Sequence, residues 1–187
     1  CKKFRLSRNR RSNNAFCISV TPLGHNETVI KERQVILIDP ENLTGDGHLT
    51  PAEAAWLTQV LPGTLHIQRD DLIFVGGDLH NAFELDSIAK ALGGRIAFGT
   101  GKDGGDRALV AEFDKIPETA WNLPDSPITR VVIASGDHHF VDTARIAKRK
   151  GRQVFTIGTW RGISAELAKH SDTCLRLPPM SPDKLVA

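Results

Sequence analysis

The sequence predicts an α/β fold built on a mostly parallel sheet. Three observations carry this. Apolar, β-branched runs such as Val35-Ile36-Leu37-Ile38 and Val131-Val132-Ile133-Ala134 read as buried parallel strands. Stretches with helix caps and glycine stops lie between these runs. Strands alternating with helices imply βαβ crossovers, which place helices on both faces of the sheet.

Residues 1–32 show no sustained periodicity and read as a basic N-terminal arm. Strand one follows over 34–39. Thr50-Pro-Ala-Glu53 is a capping box with Pro in the first turn. Ala54, Ala55, Trp56, Leu57, Val60 and Leu61 give that helix a buried face, and Pro62-Gly63 is expected to stop it. Residues 71–75 form a second strand, closed by Gly76-Gly77-Asp78. A helix over 81–92 ends at Gly93-Gly94, and 95–98 form the third strand. After the Gly-rich loop 99–105, Asp106 opens a helix carrying Leu109, Val110 and Phe113. Strand four spans 130–135, a helix spans 141–150, and strand five spans 153–157. Ser164 caps a short helix, and 173–177 is a candidate last edge strand. The domain is expected over 33–178, with a C-terminal tail over 179–187.

The 187 residues suffice for one well-buried domain. No apolar stretch approaches the roughly 20 residues that span a bilayer, so no membrane is expected. Cys1, Cys17 and Cys174 form an odd set with no CxxC spacing, which argues against a disulfide scaffold and a cysteine zinc site. A cytoplasmic location is the default. Cys1 in place of Met reads as a trimmed start. The net charge of +2 is unevenly spread: Lys2, Lys3, Arg5, Arg8, Arg10 and Arg11 precede the first acid, and Lys148, Arg149, Lys150 and Arg152 form a second cluster. Such runs either hold phosphate backbones or are solvated charge.

Strand ends carry the chemistry. Asp39 closes strand one and Asp137 follows strand four in Ser135-Gly136-Asp137-His138-His139-Phe140. If those strands are neighbours, the two carboxylates meet at the carboxyl edge, where open α/β sheets bind ligands. Like charges there repel unless a cation sits between them. Asp106 is a third carboxylate after a third strand, or else a plain N-cap. Three oxygen ligands suit Mg2+ or Mn2+ better than zinc. On the Asp106 helix, about 100° per residue aligns Asp114 better than Glu112, and either is also readable as solvated charge. Asn42 is a turn residue or orients a metal-bound water or a phosphate oxygen. Ser135 belongs to a tight turn, or to one that admits a phosphodiester. His139 is a ligand or a structural group.

Two nucleotide motifs are excluded. Gly101-Lys102 is followed by Asp103, with Ile96 where a P-loop needs glycine. No GxGxxG follows the first strand.

Three segments in order, Ile38-Asp39-Pro40-Glu41-Asn42-Leu43, Lys102-Asp-Gly-Gly-Asp106-Arg-Ala-Leu109 and Ser135-Gly136-Asp137-His-His-Phe140, resemble the NYN domain family, a branch of the PIN-like metal-dependent nucleases. The resemblance covers roughly 33–177. It implies a three-layer PIN-like fold with a five-stranded sheet ordered 3-2-1-4-5, Mg2+ or Mn2+ on Asp39, Asp106 and Asp137, and hydrolysis of RNA. Asn42 matches the family's asparagine after the first strand. One departure stands out: many members carry an aspartate where this chain has His139. RNA is thus the expected partner, with Lys102, Lys148, Arg149, Lys150 and Arg152 as candidate contacts. A homo-oligomer is compatible with the sequence. The rivals are an NYN-like RNA-binding module without catalysis and an α/β metal-dependent phosphatase. The phosphatase reading lacks the DxD pair, since Pro40-Glu41 follow Asp39.

Overall fold

The computed structural model describes residues 32–45, 47–159 and 161–180. Apart from Glu32, Pro179 and Met180, the expected arm and tail lie outside the described residues. Six strands form one sheet: β1 Arg33–Ile38, β2 Leu72–Asp78, β3 Arg95–Gly99, β4 Ile128–Ala134, β5 Gln153–Gly158 and β6 Thr173–Arg176. The order is β3-β2-β1-β4-β5-β6 and every pairing is parallel. The expected 3-2-1-4-5 order is present, with 173–176 added as a sixth, outer strand. Asp172 docks that strand: its amide donates to the Val154 carbonyl at 2.7 Å, and its carboxylate accepts from the Val154 amide at 2.8 Å.

The strands are apolar throughout because both faces are covered. Ile36 and Ile38 pack with Val132 and Ala134 against α2 Pro51–Leu65 and α3 Ala82–Leu92. Val35 and Leu37 pack with Val131 and Ile133 on the other side. There the cover is α4 Gly104–Asp114, α5 Glu118–Trp121, α6 Val141–Arg149 and α7 Ala165–Lys169. Successive residues therefore feed two cores, as strand alternation requires. No helix among the described residues is long and apolar enough to cross a membrane.

Three local expectations need correction. α2 does not stop at Pro62-Gly63 but runs to Leu65, where His66 ends it in a left-handed conformation (φ 50°). An interior proline costs about 3 kcal/mol. Leu61 and Leu65 are buried beyond or beside it, and each offsets roughly 1.5–3 kcal/mol. Second, α1 Pro40–Thr44 is a helix where the sequence suggested only a turn. Its N-cap is Asp39, whose carboxylate accepts the Asn42 amide. Third, Asp106 does not cap α4. The helix starts two residues earlier behind Asp103, which makes no side-chain cap.

Candidate metal centre

β1 and β4 are adjacent, and the connections after them leave in opposite directions: β1 leads to β2 on one side, β4 to β5 on the other. This is the topological switch point of the sheet, where a crevice opens at the carboxyl edge. Ile38 pairs with Ala134 at that edge, so the residues that follow are brought side by side.

Asp39 is buried at 8% exposure. One carboxylate oxygen accepts from the Asn42 amide at 3.1 Å and the other from the Ser135 hydroxyl at 2.9 Å. Ser135 also accepts the Asp137 amide at 3.1 Å. One fully buried hydroxyl thus ties Asp39 to the chain at Asp137. Asn42 makes a second tie, its side-chain carbonyl accepting the Gly136 amide at 2.8 Å. Asp106 arrives from the first turn of α4 and stands close enough to Asp39 for each carboxyl to act on the other's ionisation. Asp39, Asp106 and Asp137 line one cleft of about 320 Å3, with Asn42 and Lys102 on its wall.

The electrostatics follow from this crowding. Burial, then the Asp106 charge, pushes the Asp39 carboxyl up to about 8. Burial and the neighbouring Asp137 and Asp103 charges outweigh the bond to Asp39 and push Asp106 up to about 6. With both values raised, the pair takes up protons at a pH where two isolated aspartates would hold none. Asp137 differs. Burial works against its ionisation, but the amide and ring of His139 outweigh it, and its pKa lies below the ordinary value.

His139 stands among these acids. Its Nδ1 lies 2.8 Å from Asp137 Oδ1 and 3.7 Å from Asp106 Oδ2, and its Nε2 lies 3.7 Å from Asp103 Oδ2. His138 Nδ1 is 2.9 Å from the same Asp137 oxygen. Candidate ligand atoms of Asp103, Asp106 and His139 lie within 4.8 Å of one another, as do those of Asp137, His138 and His139. Carboxylate oxygens dominate the cleft lining and no thiolate is present there, while the two clusters that could hold a metal ion combine aspartates with His138 and His139. The retained proton marks negative charge that a cation would neutralise instead.

Other predicted residues lie elsewhere. Glu112 pairs with Lys115, and Asp114 is exposed at the end of α4, roughly 12 Å along the axis from Asp106. Neither lines the cleft. Ser135 is fully buried, so it positions Asp39 and Asp137 and does not meet a phosphate. Lys148, Arg149, Lys150 and Arg152 stand where α6 ends and β5 begins, at the amino edge of the sheet. A six-residue strand separates them from the cleft by roughly 20 Å. Lys148 pairs with Asp172, Lys150 with Glu118, and Arg152 with Asn122.

Four wall residues escaped the sequence reading. Glu41 accepts from the Asp78 amide at 3.0 Å and the Asn81 side chain at 2.8 Å. Asp103 stands at the mouth in a left-handed conformation (φ 56°). Asp78 lies 2.8 Å from His80 Nδ1, and His80 Nε2 lies 2.8 Å from the Gly47 carbonyl. The Gly47 carbonyl and the Asp78 carboxylate beside its ring nitrogens raise the pKa of His80 above the ordinary value. Asp78 had a signal in the sequence, since it closes a strand as Asp39 does. Asp103 and His80 had none.

Fold and cleft together define an α/β protein with a six-stranded parallel sheet and an acidic pocket at its switch point. The chain matches no family model and no curated protein. Among solved structures it is similar to a crystal structure of a protein of unknown function from Vibrio parahaemolyticus. The two share 21% identity with a TM-score of 0.54, covering 81% of this chain and 96% of that one. This likeness carries the fold alone.

Proposed function

We propose that this chain is a metal-dependent ribonuclease of the PIN-like, NYN type, acting through Mg2+ or Mn2+ held by Asp39, Asp106 and Asp137. One observation carries the reading. Three aspartates, two of them following the adjacent strands β1 and β4 and one from the first turn of α4, line one cleft, and their burial and crowding raise the pKa of Asp39 and Asp106. A bound divalent ion would polarise a phosphate oxygen and lower the pKa of an attacking water. The chain's own residues do the rest. Ser135 and Asn42 fix the spacing of Asp39 and Asp137. Lys102 supplies positive charge on the cleft wall, against which a phosphodiester can lie.

The test is RNA cleavage under Mg2+, Mn2+ and EDTA. Cleavage is expected with either metal and not with EDTA. Asp137→Asn is expected to lower the rate about 100-fold or more, since a metal ligand supplies several kcal/mol to the transition state, while the circular dichroism spectrum is unchanged. Equal rates for variant and parent under Mn2+ contradict the assignment.

A second reading rests on His139. Its ring occupies the space between Asp137, Asp106 and Asp103, which favours an RNA-binding module without turnover. That reading predicts retained RNA binding, no cleavage with either metal, and a gain of cleavage in His139→Asp.

A further inference from the structure

Asp137, His138 and His139 stand in a row on one tight turn beside a second cleft. The turn is a 3-10 helix over His138–Phe140, capped by the Asp137 carboxylate and anchored by the fully buried Phe140. Three nitrogens converge on one oxygen of Asp137. The His139 amide lies 2.9 Å from Oδ1, His139 Nδ1 lies 2.8 Å from it and His138 Nδ1 lies 2.9 Å from it. A carboxylate oxygen has about two lone-pair sites, so one nitrogen exceeds what hydrogen bonding can use. The two imidazoles are also close to each other, with ring centroids 4.5 Å apart. Asp137 and His138 line a cleft of about 450 Å3 together with Asn42, Arg161 and Ser164. That cleft is distinct from the acidic one, whose lining includes neither His138 nor Arg161.

Donor chemistry decides which ion suits this turn. Imidazole nitrogen suits Zn2+, and two imidazoles with one carboxylate is a donor set that zinc accepts. Mg2+ instead demands near-octahedral oxygen. Ligand atoms about 2.0–2.2 Å from Zn2+ stand roughly 3.3 Å apart in a tetrahedral site. Each ring therefore has to withdraw from Asp137 by about 0.5 Å to admit the ion. His138 has room to do so, with 71% of its side chain exposed. His139 also belongs to a rival cluster with Asp103 and Asp106. That cluster offers a single imidazole, whose nitrogens stand 3.7 Å from each carboxylate. The second imidazole and the shorter separations favour the Asp137 side. We infer that Asp137, His138 and His139 form a Zn2+ site, separate in kind from the three-aspartate centre. Three protein ligands leave at least one position open, and the second cleft has room for a water or a small anion to fill it. The site uses neither Asp39 nor Asp106, so it does not depend on the nuclease reading.

The experiment titrates the whole chain with Zn2+ against a chromophoric chelator, in excess Mg2+. Co2+ serves in parallel as a coloured substitute whose visible absorption reports its ligands. The parent is expected to hold Zn2+ that Mg2+ does not displace. His138→Ala removes an exposed ring, so the circular dichroism spectrum is expected to stay unchanged. That variant is expected to bind Zn2+ at least about tenfold more weakly and to lose the Co2+ absorption of the site. Asp103→Asn is expected to bind Zn2+ within about twofold of the parent, because Asp103 belongs only to the rival cluster. Equal Zn2+ affinity in His138→Ala and the parent overturns the inference. So does a loss in Asp103→Asn that His138→Ala does not share, which assigns the ion to Asp103, Asp106 and His139. A parent that takes up no Zn2+ in the presence of Mg2+ overturns it as well.

Discussion

Asp39 carries the tightest constraint in the cleft. It is buried, it accepts two hydrogen bonds, and it faces a second carboxyl. Its stability consequence has a definite sign. The folded pKa values of Asp39 and Asp106, about 8 and about 6, stand above the ordinary aspartate value of 3.8. The folded state therefore binds more protons than the unfolded one across that window. The resulting stability is fully present below pH 3.8 and is lost as pH rises through about 6 and then about 8. Asp39→Asn removes one of the two raised carboxyls, and its single amide oxygen can accept only one of the two hydrogen bonds that Asp39 accepts. Without metal its stability is expected to vary less with pH than the parent's between about pH 4 and 8. Urea denaturation at several pH values checks this, and an equal pH dependence in variant and parent contradicts it. At this scale the sequence was informative where a residue closed a strand. Asp39 and Asp137 were legible because a buried strand must end near the sheet edge. Glu112 and Asp114 were misplaced because helical spacing gives the angle around the axis, while the rise along it carried both beyond the cleft.

The elements around the cleft work by close approach. Gly99 ends β3, and a Cβ there would lie 1.8 Å from the Gly104 carbonyl oxygen. The loop folds directly back on the strand, and that fold brings Asp103 and Asp106 to the wall. Gly99→Ala is expected to cost about 1–3 kcal/mol, because backbone must move to admit the methyl group. It should also weaken Mn2+ binding. Thermal melts with and without Mn2+ measure both, and an unchanged melting temperature contradicts the account. Most elements were readable because burial and caps act locally: the Thr50–Glu53 capping box forms as expected, and Gly93 ends α3 in a left-handed turn (φ 71°). Continuation of α2 through Pro62 was not readable. The burial that holds Leu61 and Leu65 comes from the assembled core, and no local signal reports it. α1 is five residues long, too short for periodicity to reveal.

Across the whole molecule, charge is divided between two ends. The cleft at the carboxyl edge gathers six acids and His80, and the amino edge carries Lys148, Arg149, Lys150 and Arg152 with acidic or amide partners on three of them. In the sequence these cations read as candidate contacts for the RNA being cut, because strand direction along the sheet is invisible in a charge run. Their distance from the cleft predicts a division of labour. Lys102→Ala should raise KM for RNA several-fold at low salt, while Lys150→Ala should leave KM within about twofold of the parent. Steady-state cleavage assays decide this, and the opposite ranking contradicts it. The central claim is that the cleft takes a divalent cation in exchange for the proton held by Asp39 and Asp106. Calorimetric titration of Mn2+ near neutral pH, in buffers of different ionisation enthalpy, tests it most directly. The account predicts one saturable binding event that releases up to about one proton per ion and is weakened in Asp106→Asn. Absence of saturable binding, or binding with no proton release and no loss in the variant, would contradict it.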